Sequence, residues 1–114
     1  MKDCIFCKIG SHELQAMVVY EDQELLAFRD IDPQAPVHIL IIPKQHYPSP
    51  NSFTESDTAL LGRLILAGQK IAAQERLADR GYRIVLNCGS DGGQSVEHVH
   101  LHVLGGRHMT WPPG

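Results

Sequence analysis

No stretch of the 114 residues approaches the ~18–20 consecutive apolar positions that a membrane span requires, although 43% of the chain is hydrophobic. Basic charge is not in excess either. Ten lysines and arginines stand against 13 aspartates and glutamates, a formal charge of -3. That balance gives no footprint for general binding to nucleic acid or to anionic membranes. Cysteine is scarce and odd in number: Cys4, Cys7 and Cys88 do not make a disulfide framework, and the one C-x-x-C pair points toward metal or redox use. The opening "MKDCIFCKIG" holds no apolar run of signal-peptide length. Repeats, low-complexity tracts and an interdomain linker are missing as well. The expectation is one domain over residues 1–114, cytoplasmic, with a composition that can bury an ordinary core.

What is present reads as short strands and one helix. "MVVYE" (17–21) and "ELLAFRD" (24–30) are β-rich runs separated by a polar pair, a hairpin pattern. "DIDPQAP" (30–36) is turn chemistry with two prolines. "VHILIIP" (37–43) is nearly all apolar and predicts a central strand buried on both faces. A helix is expected over about 55–77. Thr54 is its N-cap, Asp57 closes a capping-box pair, and Leu60, Leu61, Leu64, Ile65, Gly68, Ile71 and Ala72 form an apolar stripe. Gly81 supplies the stop. "YRIVLNC" (82–88) is another strand, and the glycine-rich "GSDGGQS" (89–95) loops into a last one. "CIFCKIG" is compatible with one helical turn. The order implies a largely antiparallel α+β domain.

The last segment, "EHVHLHVLGG" (97–106), carries His98, His100 and His102 at alternate positions with aliphatic residues between them. In a strand that period sends the three imidazoles to one face and Val99, Leu101 and Val103 to the other. The aliphatic face can be buried, so the histidine face calls for water, a metal ion or chemistry. A neutral histidine attacks through one nitrogen while an acceptor fixes the other N–H, and neighbouring imidazoles disfavour one another's protonation. The adjoining glycine-rich loop is either a tight turn or a set of exposed N–H groups suited to phosphate oxygens. Together with three in-register histidines it favours a phosphate-centred reaction.

"HVHLHVL" resembles the histidine-triad (HIT) pattern, in which histidine alternates with hydrophobic residues. "AFRDIDPQAPVHILIIPKQH", "GGQSVEHVHLHVLGGR" and the terminal "WPPG" extend the resemblance over most of the chain and toward the Hint branch. The resemblance implies a HIT fold: a five-stranded antiparallel sheet, one long helix, a short N-terminal helical turn and a tail over about 106–114. It also implies a homodimer with a continuous sheet. By the same resemblance, His100 is the nucleophile that attacks the α-phosphorus of a purine nucleotide, and its other ring nitrogen is held by the His98 carbonyl. His102 contacts phosphate, and His38 supports the triad from behind. Asp30 and Ile31 resemble the ribose and base contacts, while Asn87, Gln94 and Ser95 match positions near ribose, phosphate or leaving group.

The activity so implied is hydrolysis of P–N bonds in purine nucleoside phosphoramidates such as AMP-linked amides, and of acyl-adenylates, with no catalytic metal. Alternatives are a dinucleoside polyphosphate hydrolase or nucleotidyltransferase of the same superfamily, or a zinc-containing nucleotide-binding module. Bottom-up, Cys4-x-x-Cys7 is a metal pair, a redox pair or two core thiols. HIT proteins with this pair that hold structural zinc imply a Cys2His2 set of Cys4, Cys7, His46 and His98 here. As a ligand, His98 could not also protonate a leaving group. Cys88 reads as a small strand residue, and His12 and His108 as surface residues. The resemblance places Trp111 near the active site of a partner copy.

Overall fold

The computed structural model describes residues 3–114. A short helix α1 (Ile5–Gly10) precedes strands β1 (Val18–Glu21), β2 (Leu25–Arg29) and β3 (Val37–Pro43). The long helix α2 (Thr58–Gln74), β4 (Tyr82–Leu86) and β5 (Leu101–Gly105) follow. All five strands pair antiparallel in the order β1-β2-β3-β5-β4. The expected α+β class, the hairpin, the central strand and the single long helix are all present. No helix among the described residues is long and apolar enough to cross a membrane.

Strand alternation divides the core into two halves. Leu25, Ala27, Ile39, Ile41, Leu101 and Val103 face α2, which contributes Leu60, Leu64, Ala67, Ile71 and Ala72. The helix can approach closely because Gly68 carries no side chain: a Cβ there would meet Ile84, Leu101 and Val103 at 3.3–3.5 Å. On the other face, Leu26, Phe28, Leu40 and Ile42 pack with Phe6 and Ile9 of α1. Buried on both sides, β3 is the nearly unbroken apolar run its sequence suggests.

Four details differ from the sequence expectation. The capping box of Thr54 and Asp57 forms, but it closes a 3-10 turn over Glu55–Asp57, and the α-helix begins only at Thr58. The helix ends at Gln74 rather than near 77. There the Leu77 N–H donates to the Ala72 carbonyl at 2.8 Å and the Arg76 N–H to the Ala73 carbonyl at 3.1 Å. This is the double bond of a Schellman end, with Arg76 at φ 62° in the place glycine usually takes. Gly81 is therefore not the helix stop; it turns the chain into β4. Ile65 of the expected stripe points outward and is half exposed, while Ala67 faces the core instead.

The fourth difference concerns the histidine segment. Its ladder starts at Leu101, opposite Ile41 and Leu86, so His98 and His100 lie before the strand and only His102 lies within it. Past Ile41 the next β3 residues reach Pro43, which has no N–H to offer. The segment is held there by other bonds, beginning with the Val99 N–H donated to the Tyr47 carbonyl at 2.8 Å.

Candidate active site

Although only His102 belongs to the ladder, the three imidazoles keep to the α1 side of the sheet. Phe6 of α1 meets the rings of His100 and His98 edge-on, with centroids 5.0 and 5.9 Å away, and the His100 and His102 rings are 5.0 Å apart. A cavity of about 360 Å³ opens beside them. Its apolar wall is Ile5, Phe6, Ile9, Leu14, Phe28 and Leu40. Its polar end presents Asp30, Ser95, His100 and His102. Ile31 stands at its rim, fully exposed. A slot of this shape takes a flat apolar ring at one end and an anion or polar group at the other.

The protonation of His100 is set by geometry. Its Nδ1 lies 2.8 Å from the His98 carbonyl, and a carbonyl only accepts, so Nδ1 carries the hydrogen. In the neutral ring Nε2 then keeps its lone pair. His98 follows the same logic at a second place. Its Nε2 donates to the Pro43 carbonyl at 2.7 Å. Burial above all pushes its pKa down, so the ring is neutral and Nδ1 is bare.

That bare Nδ1 faces Cys4 Sγ at 3.2 Å, Cys7 Sγ at 3.6 Å and His46 Nδ1 at 3.2 Å. Cys7 Sγ and His46 Nδ1 are 3.4 Å apart, and the four donor atoms lie within 4.8 Å of one another. A tetrahedral zinc with ordinary Zn–S and Zn–N bonds has ligand–ligand edges of about 3.3–3.8 Å, so this set fits the ion. The Pro43 carbonyl stands where an outer partner would orient His98 if it held a metal ion. Burial raises the Cys7 thiol pKa, and the neighbouring Cys4 adds to it. An ion that stabilises thiolate would reverse both effects.

His38 is buried and faces His102, Nε2 to Nδ1 at 2.9 Å. Asp30 Oδ2 is 3.5 Å from the same His38 nitrogen, and Asp30 Oδ1 accepts the Asp32 N–H at 2.8 Å.

These observations meet three comparisons with known proteins. The model of the HIT domain family matches residues 11–109. An uncharacterized HIT-like protein of Synechococcus elongatus is 55% identical over 99% of this chain and 98% of its own length. A HIT family hydrolase from Legionella pneumophila superposes with a TM-score of 0.97 at 54% identity, covering 98% of this chain and 100% of that one. The chain belongs to the HIT family. A zinc-bound histidine triad protein from Mycobacterium smegmatis superposes at 0.82 with 35% identity, over 93% of this chain and 76% of its own.

Within this HIT domain not every expected site residue reaches the cavity. Ser95, Asp30 and Ile31 do, together with His100 and His102. Asn87 and Gln94 do not line it. Asn87 donates to the Gly92 carbonyl at 2.7 Å, and the Gln94 side chain bridges Gly89 N–H, the Val96 carbonyl and the Pro48 carbonyl. The Gly93 and Gln94 N–H groups are also spent inside the loop, on Ser90 and Gly89. The glycine-rich loop is therefore a self-bonded brace more than an open cradle of N–H groups. Phe6 and the rest of the α1 wall were missing from the sequence expectation, though Phe6 and Ile9 at i, i+3 are a legible apolar pair.

His102 is the most strongly shifted imidazole, pushed down to about 4 by burial first, then by the charges His100 and His38 would carry. His38 is lowered mainly by burial. Unfolded, both rings would take a proton near 6.5. Between that pH and the lower folded values the unfolded chain binds more protons, so stability is complete above about 6.5 and falls as pH drops toward 4. Melting temperatures measured from pH 7 to pH 4.5 should fall, and His102→Asn should flatten the slope. In NMR titrations the His102 ring signals should stay flat down to about pH 5.

Proposed function

We propose that this protein hydrolyses P–N bonds of purine nucleoside phosphoramidates, and related acyl-adenylates, through a nucleotidyl-His100 intermediate. The observation that carries the reading is the His98 carbonyl bonded to His100 Nδ1, which leaves Nε2 as a lone-pair donor at the cavity wall. The apolar end of the cavity suits a purine, and Asp30, with lone pairs remaining beyond its bond to Asp32, suits ribose hydroxyls. Nε2 attacks the α-phosphorus as the P–N bond to the amine breaks, and the leaving nitrogen takes its proton from solvent water. His102 donates to the phosphoryl oxygens as charge builds on them. Water then attacks phosphorus and returns a proton to solvent, the bond to His100 breaks, and the nucleoside monophosphate is released with the ring neutral again. Each half is easier than direct attack by water. Localisation in the cytoplasm goes with such substrates.

Two further elements complete the proposal. Cys4, Cys7, His46 and His98 hold a structural zinc, a closed site that supplies folding free energy and no open position for substrate. The second copy of a homodimer pairs along β4, the free edge of the sheet beside β5. Exposed Leu86, Ile65 and Leu66 provide the apolar material for that contact. Trp111, exposed on its own protomer, would then shape leaving-group preference at the partner's cavity.

Rapid quenching of the protein with adenosine 5′-phosphoramidate, followed by mass spectrometry, should find the nucleotidyl group on His100. His100→Ala should abolish turnover and keep nucleotide binding, whereas His102→Ala should lose roughly 10²–10³-fold in kcat. Substantial activity in His100→Ala would refute the mechanism. Protein purified without added metal or chelator should contain one zinc per chain, and Cys4→Ser with Cys7→Ser should lower Tm; a metal-free protein indifferent to zinc would remove that site. Light scattering should give twice the chain mass, and Val85→Asp on β4 should give monomers.

A further inference from the structure

The direction in which His102 offers its hydrogen is decided outside the cavity. Gln34 lies in the exposed turn between Pro33 and Pro36, and its backbone N–H donates to His38 Nδ1 at 3.0 Å. An amide nitrogen cannot accept, so His38 Nδ1 must be bare. The neutral His38 ring then carries its hydrogen on Nε2. Two acceptors face that hydrogen, His102 Nδ1 at 2.9 Å and Asp30 Oδ2 at 3.5 Å, and the nearer one is the imidazole. His102 Nδ1 is therefore an acceptor, and its own hydrogen sits on Nε2. The reverse assignment fails: a hydrogen on His102 Nδ1 would require a bare His38 Nε2, and His38 Nδ1–H would then oppose the Gln34 N–H.

The residue that starts this chain is itself held on both sides of its Cα. The Gln34 carbonyl accepts from Arg107 Nε at 3.1 Å, and the Gln34 side-chain amide donates to the Asp32 carbonyl at 2.9 Å. Arg107 is exposed and does not line the cavity. It stands two residues past the end of β5, the strand that carries His102, and reaches back to the turn that precedes β3, the strand that carries His38. Gln34 is thus held, through the carbonyl of the peptide that follows its N–H, by an arginine across the ends of two paired strands.

We infer that Gln34 and Arg107 are positioning residues: the Gln34 N–H, on a turn that Arg107 anchors through the Gln34 carbonyl, fixes His38 and then His102 as Nε2–H tautomers, so that His102 meets the phosphoryl group as a donor. This rests on the proposed phosphoryl chemistry for its purpose, and on hydrogen-bond geometry alone for the tautomers. A neutral imidazole with its hydrogen on Nδ1 would point a lone pair at the phosphate oxygens, a repulsive contact in place of a stabilising one. Burial keeps both rings neutral at pH 7, where each has a single hydrogen to place. A backbone N–H suits the first link because it cannot lose or gain a proton. Asp30 accepts the same hydrogen only from further away and does not change its position.

Long-range ¹⁵N–¹H correlation spectra of the ligand-free protein at pH 7 read the tautomers directly. Both His38 and His102 should show a protonated Nε2 and an unprotonated Nδ1. Arg107→Ala should bring Nδ1–H forms into both rings and lower kcat on adenosine 5′-phosphoramidate by roughly three- to tenfold, the scale of one weakened hydrogen bond, with KM unchanged. Gln34→Ala, which keeps the backbone N–H, should retain the tautomers and most of kcat. Gln34→Pro, which removes that N–H, should lose both; if it does not fold, the Arg107→Ala spectra still decide. An Nδ1–H tautomer in either wild-type ring, or an unchanged pattern in Arg107→Ala, overturns the inference. Because the spectra need no substrate, they stand apart from failure of the phosphoramidate reading, which would show as absent turnover with the tautomers intact.

Discussion

A neutral imidazole has two nitrogens and one hydrogen, and that shortage governs the centre of this molecule. Three of its buried or half-buried rings commit their hydrogen, or their lone pair, to a backbone group that cannot change its role. Pro43 takes the hydrogen of His98, the His98 carbonyl takes that of His100, and the Gln34 N–H fills the lone pair of His38. Among the described residues the His102 ring bonds to no backbone group and is set through His38. The free positions that result are two lone pairs and one hydrogen, at His98 Nδ1, His100 Nε2 and His102 Nε2. The first meets the cysteines, and the other two belong to rings lining the cavity. Main-chain partners are the appropriate choice for this purpose, because a carboxylate or hydroxyl in the same place could itself titrate or rotate.

His98 is the point where two clusters share one residue. Its ring completes the cysteine cluster, while its carbonyl, on the same backbone, orients the His100 ring. The contacts of the His98 ring with Cys4, Cys7 and His46 and the bond of its carbonyl to His100 Nδ1 therefore fix one residue from two sides. Helix α1 reinforces the link. It brings both cysteines, Cys4 accepts the Cys7 N–H at its start, and Phe6 between them lies edge-on to His98 and His100. Six residues of helix are too few to persist alone in water. Burial of Phe6 and Ile9 against β2 and β3 is what holds the cysteines in register with His46 and His98.

Much of this was legible in the chain. The unbroken apolar run of β3 and the 3.6-residue stripe of α2 specify a sheet covered on both faces, and the alternating histidines survive as rings on one side. The departures have specific causes. A period of two survives in an extended segment whether or not it is hydrogen-bonded, so the pattern 98–102 could not reveal that the ladder starts only at Leu101. Helix α2 stops at a left-handed Arg76, where sequence rules look for glycine, because tertiary burial of Leu77 outweighs the local cost of that conformation. The Gln34 amide is invisible in sequence, since every residue but proline has an N–H and only the fold says where it points. The His38–His102 contact joins positions 64 residues apart through the β3–β5 register.

The glycine-rich loop shows how a motif can have the right location and a different task. A Cβ on Gly92 would sit 2.3 Å from the Cys88 carbonyl oxygen, so glycine is required there by the loop's own closure. Gln94 then ties that closed loop to the Pro48 carbonyl, in the same connection that supplies His46 to the cysteine cluster and the Tyr47 carbonyl to Val99. The segment 44–49 thus touches the loop, the cysteine–histidine cluster and the backbone between His98 and His100. With Val99 anchored to it, neither neighbouring histidine can rotate its peptide independently. Rigidity at His100 comes from this irregular connection as much as from the sheet. That is why His98 and His100 can lie outside the β-ladder and still hold a fixed geometry.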